Sequence, residues 1–369
     1  MKVLTIGGAT QDIFLKYADA EIMHLHTTHG KTSYLLLAEG GKVEVTDISY
    51  SSGGGANNTA ISFNRLGFDT ATLIKVGSDE AGSFVLKKLK EEGISTKHVI
   101  VAKNGHTGLS FIIPSLTADR TILAFRGANS TLTKKDIALK DLADHDLLYI
   151  TSLSGPASQI LLPLAQFAHK HGIPCATNPG TSQLVAGAPM LRQSLPYLDI
   201  LILNAVEAKT FMLSLISTSK TLKRSLQKEP KMSASRKPHL LQQSMGVEDI
   251  WFSLQNFFQA VMPKGPKIVI VTNGSEGVYV AHKDTIYFHP SLPIKVVNTV
   301  GAGDAFGSSF VGTYVATKSI EKAILHGIIN AASVISCMDT KQGLLSLKEL
   351  EKRAKEIGLD QLQRFPLKN

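Results

Sequence analysis

Cysteine is scarce in this chain, which has two cysteines in 369 residues. Cys175 and Cys337 are far apart, and neither lies in a pattern with metal-ligand spacing. The sequence therefore excludes a disulfide framework and a cysteine-based zinc site. With 43% hydrophobic and 19% charged residues, the composition is that of an ordinary globular protein that can bury a sizeable core.

Long hydrophobic runs are also missing. No stretch approaches the roughly 20 apolar residues that a membrane-spanning helix needs. The opening MKVLTIGGAT holds an apolar run that glycines interrupt at once, and it is too short for a secretory signal peptide. We therefore expect a cytoplasmic protein with no membrane partner.

Signatures of nucleic-acid binding are absent as well. The formal net charge is +9, but the chain has no interleaved basic and aromatic pattern and no zinc-finger, RNA-recognition or helix-turn-helix motif. Residues 217–248 alone contribute +5, from seven basic residues against Glu229 and Glu248. The basic residues are Lys220, Lys223, Arg224, Lys228, Lys231, Arg236 and Lys237. This favours a solvated segment over a DNA clamp, so no nucleic-acid partner is expected.

The same segment interrupts an otherwise regular chain. Residues 217–248 are polar, rich in serine and lysine, and contain Pro230 and Pro238. Such a composition is typical of an insertion that does not contribute a strand or a long helix of its own. We predict a basic polar insertion at 217–248, and its mobility remains open.

Apolar runs of strand length alternate with helical periodicity through most of the sequence. Lys2–Ile6 is a short apolar run that ends at two glycines, which is typical of a buried parallel strand. Further predicted strands are 71–76, 147–150, 174–177, 200–203 and 267–272, and predicted helices include 60–66 and 82–92. This alternation predicts an α/β fold with a mostly parallel central sheet covered by helices on both faces.

Four other predicted strands stand outside that alternation. Residues 32–37 and 42–48 flank the turn sequence at 38–41, and we predict that they form a hairpin. Residues 108–113 and 121–125 make a second pair of the same kind. The four strands predict a small sheet that stands apart from the main body.

The stretch NTVGAGDAFGSSF, residues 298–310, places a carboxylate at the start of a predicted helix. Glycines at 301 and 303 let backbone N–H groups approach an anion closely, and the positive end of the helix adds to the attraction. Asp304 beside such a site suits a base that accepts a proton from an attacking hydroxyl. A tight turn followed by a helix cap explains the tetrapeptide Gly-Ala-Gly-Asp at 301–304 equally well.

Two further groups of polar residues follow predicted strands. Asn204 ends an apolar strand and Glu207 follows one turn later, where an amide and a carboxylate could hold water-coordinated Mg²⁺. A capping box is the commoner explanation of that spacing. Gly53 and Gly54 precede a helix that carries Asn58, a side chain able to bond hydroxyls. Asp12 follows the first strand, a position where aspartate is usually a turn residue.

Together these motifs resemble the ribokinase-like (PfkB) carbohydrate kinases, from residue 1 to about residue 345. The late family signature Asp-Thr-x-Gly-Ala-Gly-Asp-x-Phe is similar to 298–306, and the early Gly-Gly-x-x-x-Asn-x-Ala is similar to 53–60. The motifs between and after them occur in the family's order: Val76-Gly77-Ser78-Asp79 with Gly82, Gly127-Ala128-Asn129, Asn204 with Glu207, and Thr272-Asn273-Gly274 with Gly277.

The resemblance implies a fold, a reaction and a set of roles. It implies one ribokinase-like domain over 1–369, a three-layer α/β/α sandwich with a small β-sheet lid formed by strands at about 22–50 and 107–125. It implies a phosphotransferase that moves the γ-phosphoryl group of ATP to a hydroxyl of a small sugar. The implied catalytic residues are the base Asp304 and the anion-hole residues Gly301, Ala302 and Gly303. The implied nucleotide-binding residues are Asn204, Glu207, Thr272, Gly274, Gly277 and Asn330, of which Asn204 and Glu207 would position Mg²⁺ through water. The implied substrate-binding residues are Asp12, Gly53, Gly54 and Asn58.

Two departures from the family pattern concern a monovalent cation. Asn298 replaces the usual aspartate, and Lys341-Gln342 stands where many members have Gly-Ala. Both positions belong to loops that hold potassium in cation-activated members, so we do not expect potassium dependence. The motifs also fit a nucleoside kinase of adenosine or inosine/guanosine type, and a catalytically silent sugar-sensing homologue remains a third alternative. The lid is a candidate surface for a homodimer in this family.

Overall fold

A computed structural model of the chain describes residues 1–16, 21–27, 30–114, 120–226, 237–246 and 250–368. The strands in these ranges are β1 (Lys2–Ile6), β2 (Thr10–Lys16), β3 (Glu21–Thr27), β4 (Gly30–Leu36), β5 (Asp47–Gly53), β6 (Asp69–Leu73), β7 (Lys75–Gly77), β8 (Ile100–Ala102), β9 (Gly108–Pro114), β10 (Arg120–Phe125), β11 (Leu147–Ile150), β12 (Cys175–Thr177), β13 (Ile200–Asn204), β14 (Ile268–Thr272), β15 (Gly277–His282), β16 (Thr285–Pro290) and β17 (Gln363–Pro366). The α-helices are α1 (Gly55–Arg65), α2 (Glu80–Glu91), α3 (Leu161–Lys170), α4 (Thr181–Leu184), α5 (Ala188–Ser194), α6 (Ala205–Ile216), α7 (Lys220–Ser225), α8 (His239–Gln242), α9 (Leu254–Val261), α10 (Ala302–Thr317), α11 (Ile320–Ile335) and α12 (Leu347–Ile357).

The central sheet has nine strands in the order β17-β16-β15-β14-β13-β12-β11-β1-β6. Pairing is parallel from β6 to β14, and β15, β16 and β17 add antiparallel strands at one edge. Alternate residues of β11 join different core clusters: Leu147 and Tyr149 pack into one, and Leu148 and Ile150 into the other. Both faces of the sheet are therefore buried, which explains why its strands are continuous apolar runs. The predicted α/β fold with a mostly parallel central sheet is confirmed.

The second sheet has four strands in the order β10-β9-β2-β5, and β3 pairs with β4 in a separate two-stranded ribbon. The predicted pairing of 108–113 with 121–125 is confirmed, since β9 and β10 are antiparallel partners. The prediction of a separate small sheet is also confirmed.

The hairpin predicted from 32–37 and 42–48 is wrong. The first of these strands, β4, pairs with β3, and β5 begins only at Asp47 and pairs with β2. The turn at 38–41 does form, with Gly40 at φ 73° and a hydrogen bond from Gly41 N to Ala38 O of 3.1 Å. The chain does not fold back after it, because β5 is held instead by the non-local partner β2.

The segment 217–248 lies partly outside the described residues, which omit 227–236 and 247–249. Its described parts form the short helices α7 and α8. Leu226, Leu240 and Met245 are buried and pack into the larger core cluster. Leu226 before the undescribed residues 227–236, and Leu240 and Met245 after them, thus anchor the segment to the core. The polar composition of the segment did not predict this contribution to the core.

No helix in the described ranges is both long enough and apolar enough to cross a membrane.

Candidate active site

Asp304 lies in the first turn of α10, directly after a glycine turn. Gly301 caps this helix with φ 83°, a left-handed conformation that strongly favours glycine. A Cβ added at Gly303 would have no neighbouring atom within 4 Å, so the turn faces open space on that side. The first N–H groups of a helix have no intrahelical acceptor. The geometry therefore offers an anion a set of backbone donors at the positive end of a sixteen-residue helix.

The carboxylate of Asp304 is in an environment that disfavours its charge. Burial raises its pKa to about 6, and the charge of Asp12 acts in the same direction. A hydrogen bond from Asn58 and the charge of Lys341 act in the opposite direction. A carboxylate with this pKa is ionised at neutral pH and is basic enough to accept a proton during a reaction.

Asn58 joins the early glycine motif to the late one. It lies on α1, four residues after the helix cap Gly54, and is 6% exposed. Its Nδ2 donates to Asp304 Oδ2 at 2.9 Å, across 246 positions of sequence. The structure thus brings together two motifs that the sequence alone could only place in order.

Asp12 and Gly53 occupy neighbouring strands of the small sheet and are in direct contact. A Cβ added at Gly53 would lie 1.9 Å from Asp12 Oδ2, so only glycine fits beside this carboxylate. Asp12 is 5% exposed, and its Oδ1 accepts a hydrogen bond of 2.7 Å from Thr10. Burial raises the pKa of Asp12, while hydrogen bonds from Thr10 and Ser110 lower it. The alternative explanation, that Asp12 is a turn residue, does not hold, because Asp12 lies within β2.

Gly54, the cap of α1, lies against the turn that leads into β2. It has φ 89°, and a Cβ added there would lie 2.5 Å from Gly8 O. Asn129 forms two hydrogen bonds with Ala9, the residue after Gly8. Its Oδ1 accepts from Ala9 N at 2.9 Å, and its Nδ2 donates to Ala9 O at 2.8 Å. These contacts hold the turn that precedes β2, the strand that carries Asp12.

Asn204 and Glu207 form a reciprocal capping box at the start of α6. Asn204 Oδ1 accepts from Glu207 N at 2.9 Å, and Glu207 Oε2 accepts from Asn204 N at 2.8 Å. The commoner of the two explanations of this motif is therefore present. The box engages one oxygen of the Glu207 carboxylate, whose pKa is raised by burial. Asn204 is the register partner of Thr272, so the two residues end adjacent parallel strands.

The glycines after Thr272 shape the same edge of the sheet. Gly274 has φ 51° and Gly277 has φ 130°. A Cβ added at Gly277 would lie 2.2 Å from His289 O, whereas one at Gly274 would meet no atom within 4 Å. Gly277 is thus required by packing, and Gly274 leaves the surface above β14 open.

Asn330, expected near the nucleotide, lies in the core between α11 and α10. Its side chain is fully buried, and Nδ2 donates to Ser309 Oγ at 2.6 Å while Oδ1 accepts from Leu345 N at 2.9 Å. These contacts tie α11 to α10 and to the segment before α12. The Asn330 amide is therefore used in core packing.

Two residues of the site region were not among the expected site residues. Lys341 is 8% exposed, and its ammonium contacts Ser51 and the backbone of Ser52, immediately before Gly53. Arg120, at the start of strand β10, donates from Nη1 to Thr299 Oγ1. The sequence shows Lys341 as a departure from the family pattern, but it does not predict that the Lys341 ammonium lies beside Ser51.

Among the described residues no group of three His, Cys, Asp or Glu side chains is arranged to hold a metal ion. A cation with few protein ligands is compatible with this finding, because Mg²⁺ usually keeps several waters and binds substrate phosphates.

A family model and an individual relative both show similarity between this chain and sugar kinases. The model of the pfkB family carbohydrate kinase matches residues 16–261 and 252–346. The ribokinase of Haemophilus influenzae is 27% identical over 296 residues, which cover 80% of this chain and 83% of the relative.

Two solved structures have the same fold. The Arabidopsis thaliana ribokinase complexed with ribose and ATP superposes with a TM-score of 0.68 at 18% identity, over 95% of this chain and 97% of that one. The Burkholderia thailandensis nucleoside kinase in complex with inosine superposes with a TM-score of 0.69 at 16% identity, over 96% of each chain.

Proposed function

The chain belongs to the PfkB family of carbohydrate kinases, and we propose that it transfers the γ-phosphoryl group of ATP to a hydroxyl of a small sugar. The reaction class, phosphoryl transfer to a hydroxyl acceptor, is that of the family. The acceptor, the role of each residue and the metal are the proposed parts.

The environment of the Asp304 carboxylate is the main observation that supports the proposal. This carboxylate follows a glycine turn at a helix N-terminus, accepts a hydrogen bond from the buried Asn58, and is influenced by the charge of the buried Asp12. We assign Asp304 as the base that takes the proton from the acceptor hydroxyl, because burial holds its pKa near 6 and so makes it a stronger base than an exposed aspartate. A sugar-sensing protein without catalysis has no need of a buried charge that costs stability.

Gly301, Ala302 and Gly303 supply the anion-binding part of the proposal. Their backbone N–H groups would stabilise the negative charge that spreads over the transferring phosphoryl oxygens. The left-handed Gly301 and the open space beside Gly303 support this assignment. Proton removal and charge stabilisation would then act on adjacent atoms of the reacting groups.

The acceptor would bind on the side of Asp12, Gly53, Gly54 and Asn58. Asp12 offers carboxylate oxygens to hydroxyl groups, and the missing side chain at Gly53 leaves room for this carboxylate beside β5. Asn58 already donates to Asp304, so its contribution includes orienting the base. Several convergent acceptors of this kind suit a polyhydroxylated ligand better than an apolar one.

The nucleotide would lie along the carboxyl ends of β13 and β14, near Asn204, Glu207, Thr272, Gly274 and Gly277. Ligands collect at this edge of parallel sheets, and Asn204 and Thr272 are register partners there. Glu207 would hold Mg²⁺ through water, and Mg²⁺ would supply neutralisation of phosphate charge. The capping box fixes the rotamers of Asn204 and Glu207 and so presents the second carboxylate oxygen in one direction.

The sheet formed by β10, β9, β2 and β5 would act as a lid over the acceptor. Its strand β2 carries Asp12, and Arg120 of β10 contacts the loop before Gly301, so the lid already touches both parts of the site. Exclusion of water would prevent ATP hydrolysis from competing with transfer. The lid exposes large apolar side chains, among them Tyr50, Leu123 and Phe125, and we propose this face as the homodimer contact.

The experiment is a screen for ADP release with Mg-ATP over sugars, sugar phosphates and nucleosides, run beside Asp304→Asn. Turnover with sugars and loss of it in the variant support the proposal. Turnover confined to nucleosides would instead establish the nucleoside kinase alternative. Binding of a sugar without ADP release from any acceptor would refute the catalytic assignment in favour of a sensor.

A further inference from the structure

Lys341 is a buried cation whose three protons all have acceptors. Its Nζ donates to Ser51 Oγ at 3.0 Å, to the backbone oxygen of Ser52, and to Thr340 Oγ1 at 3.3 Å. A charged ammonium has three donors and a neutral amine has two. The contacts therefore match the charged form, although the side chain is only 10% exposed and burial lowers its pKa.

The acceptors of Lys341 belong to both parts of the candidate site. Ser51 and Ser52 are the last residues of β5 before Gly53, which lies against Asp12. Thr340 packs on the other part, since a Cβ added at Gly301 would lie 2.9 Å from Thr340 Cβ. One ammonium thus connects the acceptor side of the site with the first residue of the anion turn.

Asp339 closes this connection into a ring. Ser51 Oγ donates to Asp339 Oδ2 at 2.8 Å, and Lys341 N donates to Asp339 Oδ1 at 2.7 Å. Lys341 Nζ lies 3.9 Å from Asp339 Oδ1. The hydroxyl of Ser51 therefore accepts from the lysine and donates to the aspartate, so the three side chains fix one another in a single arrangement.

We propose that Lys341 is a positioning residue for phosphoryl transfer, whose tethered ammonium holds the acceptor-binding end of β5 in place against the anion turn. The inference rests on the proposed function and assigns a role to a residue outside the family signature. Lys341 acts through Ser51, Ser52 and Thr340, and its contacts leave no proton for the acceptor itself.

The same charge has a consequence for the base. Lys341 lowers the pKa of both Asp304 and Asp12, and so opposes the effect of burial on the two carboxylates. The other groups that act on Lys341 itself are Asp339, Glu92 and Arg65. Removal of the ammonium should therefore raise the pKa of Asp304, a change that a purely structural role does not produce.

The test compares Lys341→Met and Lys341→Gln with wild type, and Lys348→Met, on the exposed face of α12, serves as the matched control. Gln keeps two N–H donors without the charge, so it provides the test in case Met does not fold. The measurements are kcat, the KM values for acceptor and for ATP, and the acid limb of kcat/KM between pH 5 and 9.

We expect both Lys341 variants to raise the acceptor KM about tenfold or more with little change in the KM for ATP. The acid limb should move to higher pH by about half a unit or more, while Lys348→Met matches wild type. An unchanged acceptor KM together with an unmoved acid limb in folded variants overturns the inference and leaves the proposed function intact. A wild-type protein that releases no ADP with any acceptor overturns both.

Discussion

Replacing Asp304 by Asn should stabilise the fold while it removes catalysis. A pKa raised from 3.8 to about 6 corresponds to about 3 kcal/mol by which the folded state disfavours the ionised carboxylate. The substitution keeps the size of the side chain, and the amide oxygen that it introduces could accept the hydrogen bond from Asn58. The variant should therefore recover up to about 3 kcal/mol at pH 8, or about 3–6 °C in Tm for a chain of this size.

The pH dependence of this gain identifies its cause. Because the folded-state pKa lies above the unfolded one, protonation stabilises the native protein below pH 4, and that contribution is lost as pH rises through 6. The difference in Tm between Asp304→Asn and wild type should thus be near zero at pH 4 and complete above pH 7. Asp360→Asn, at an exposed position, serves as the control with no gain. An Asp304→Asn variant no more stable than wild type at pH 8 would refute the assignment of a half-buried charge that the folded state disfavours.

Three further predictions concern the site. The kcat/KM of wild type should fall as pH drops below about 6, by about tenfold per pH unit; a flat profile down to pH 5 would exclude Asp304 as the base. Gly53→Ala should raise the acceptor KM at least tenfold, because the new Cβ would lie 1.9 Å from Asp12 Oδ2; unchanged acceptor kinetics would show that Asp12 lies outside the acceptor site. Rates in potassium and in a bulky organic cation should be equal, because the Asn298 side chain already donates to Met338 O and accepts from Val300 N; strong activation by potassium would contradict this.

The central sheet could be predicted from sequence because each of its strands is a continuous apolar run that can be recognised by itself. The segments 147–150 and 200–203 are apolar on both faces, and each is bounded by turns or helices. The small sheet could be predicted less well, since its pairing is non-local. Strand β5 pairs with β2 and not with β4, and the local pattern around 38–41 could not reveal that choice.

The candidate site shows the same limit in a different form. The motifs carrying Asn58 and Asp304 were identified separately, and only the fold shows that their side chains are 2.9 Å apart. The family resemblance places Asn330 near the nucleotide, and only the fold shows that its amide is used in core packing. Lys341 stands out in the sequence as a departure from the family pattern. Its proposed role depends on contacts with Ser51, Ser52 and Thr340, which the sequence does not reveal.

The most direct test of the whole account is the turnover number of Asp304→Asn with saturating Mg-ATP and the best acceptor from the screen. Transfer should fall by about 10²–10⁴-fold, while the affinity for ATP, measured by calorimetry, stays within a few fold of wild type. Turnover equal to wild type in the variant would contradict the claim that this carboxylate takes the proton from the acceptor.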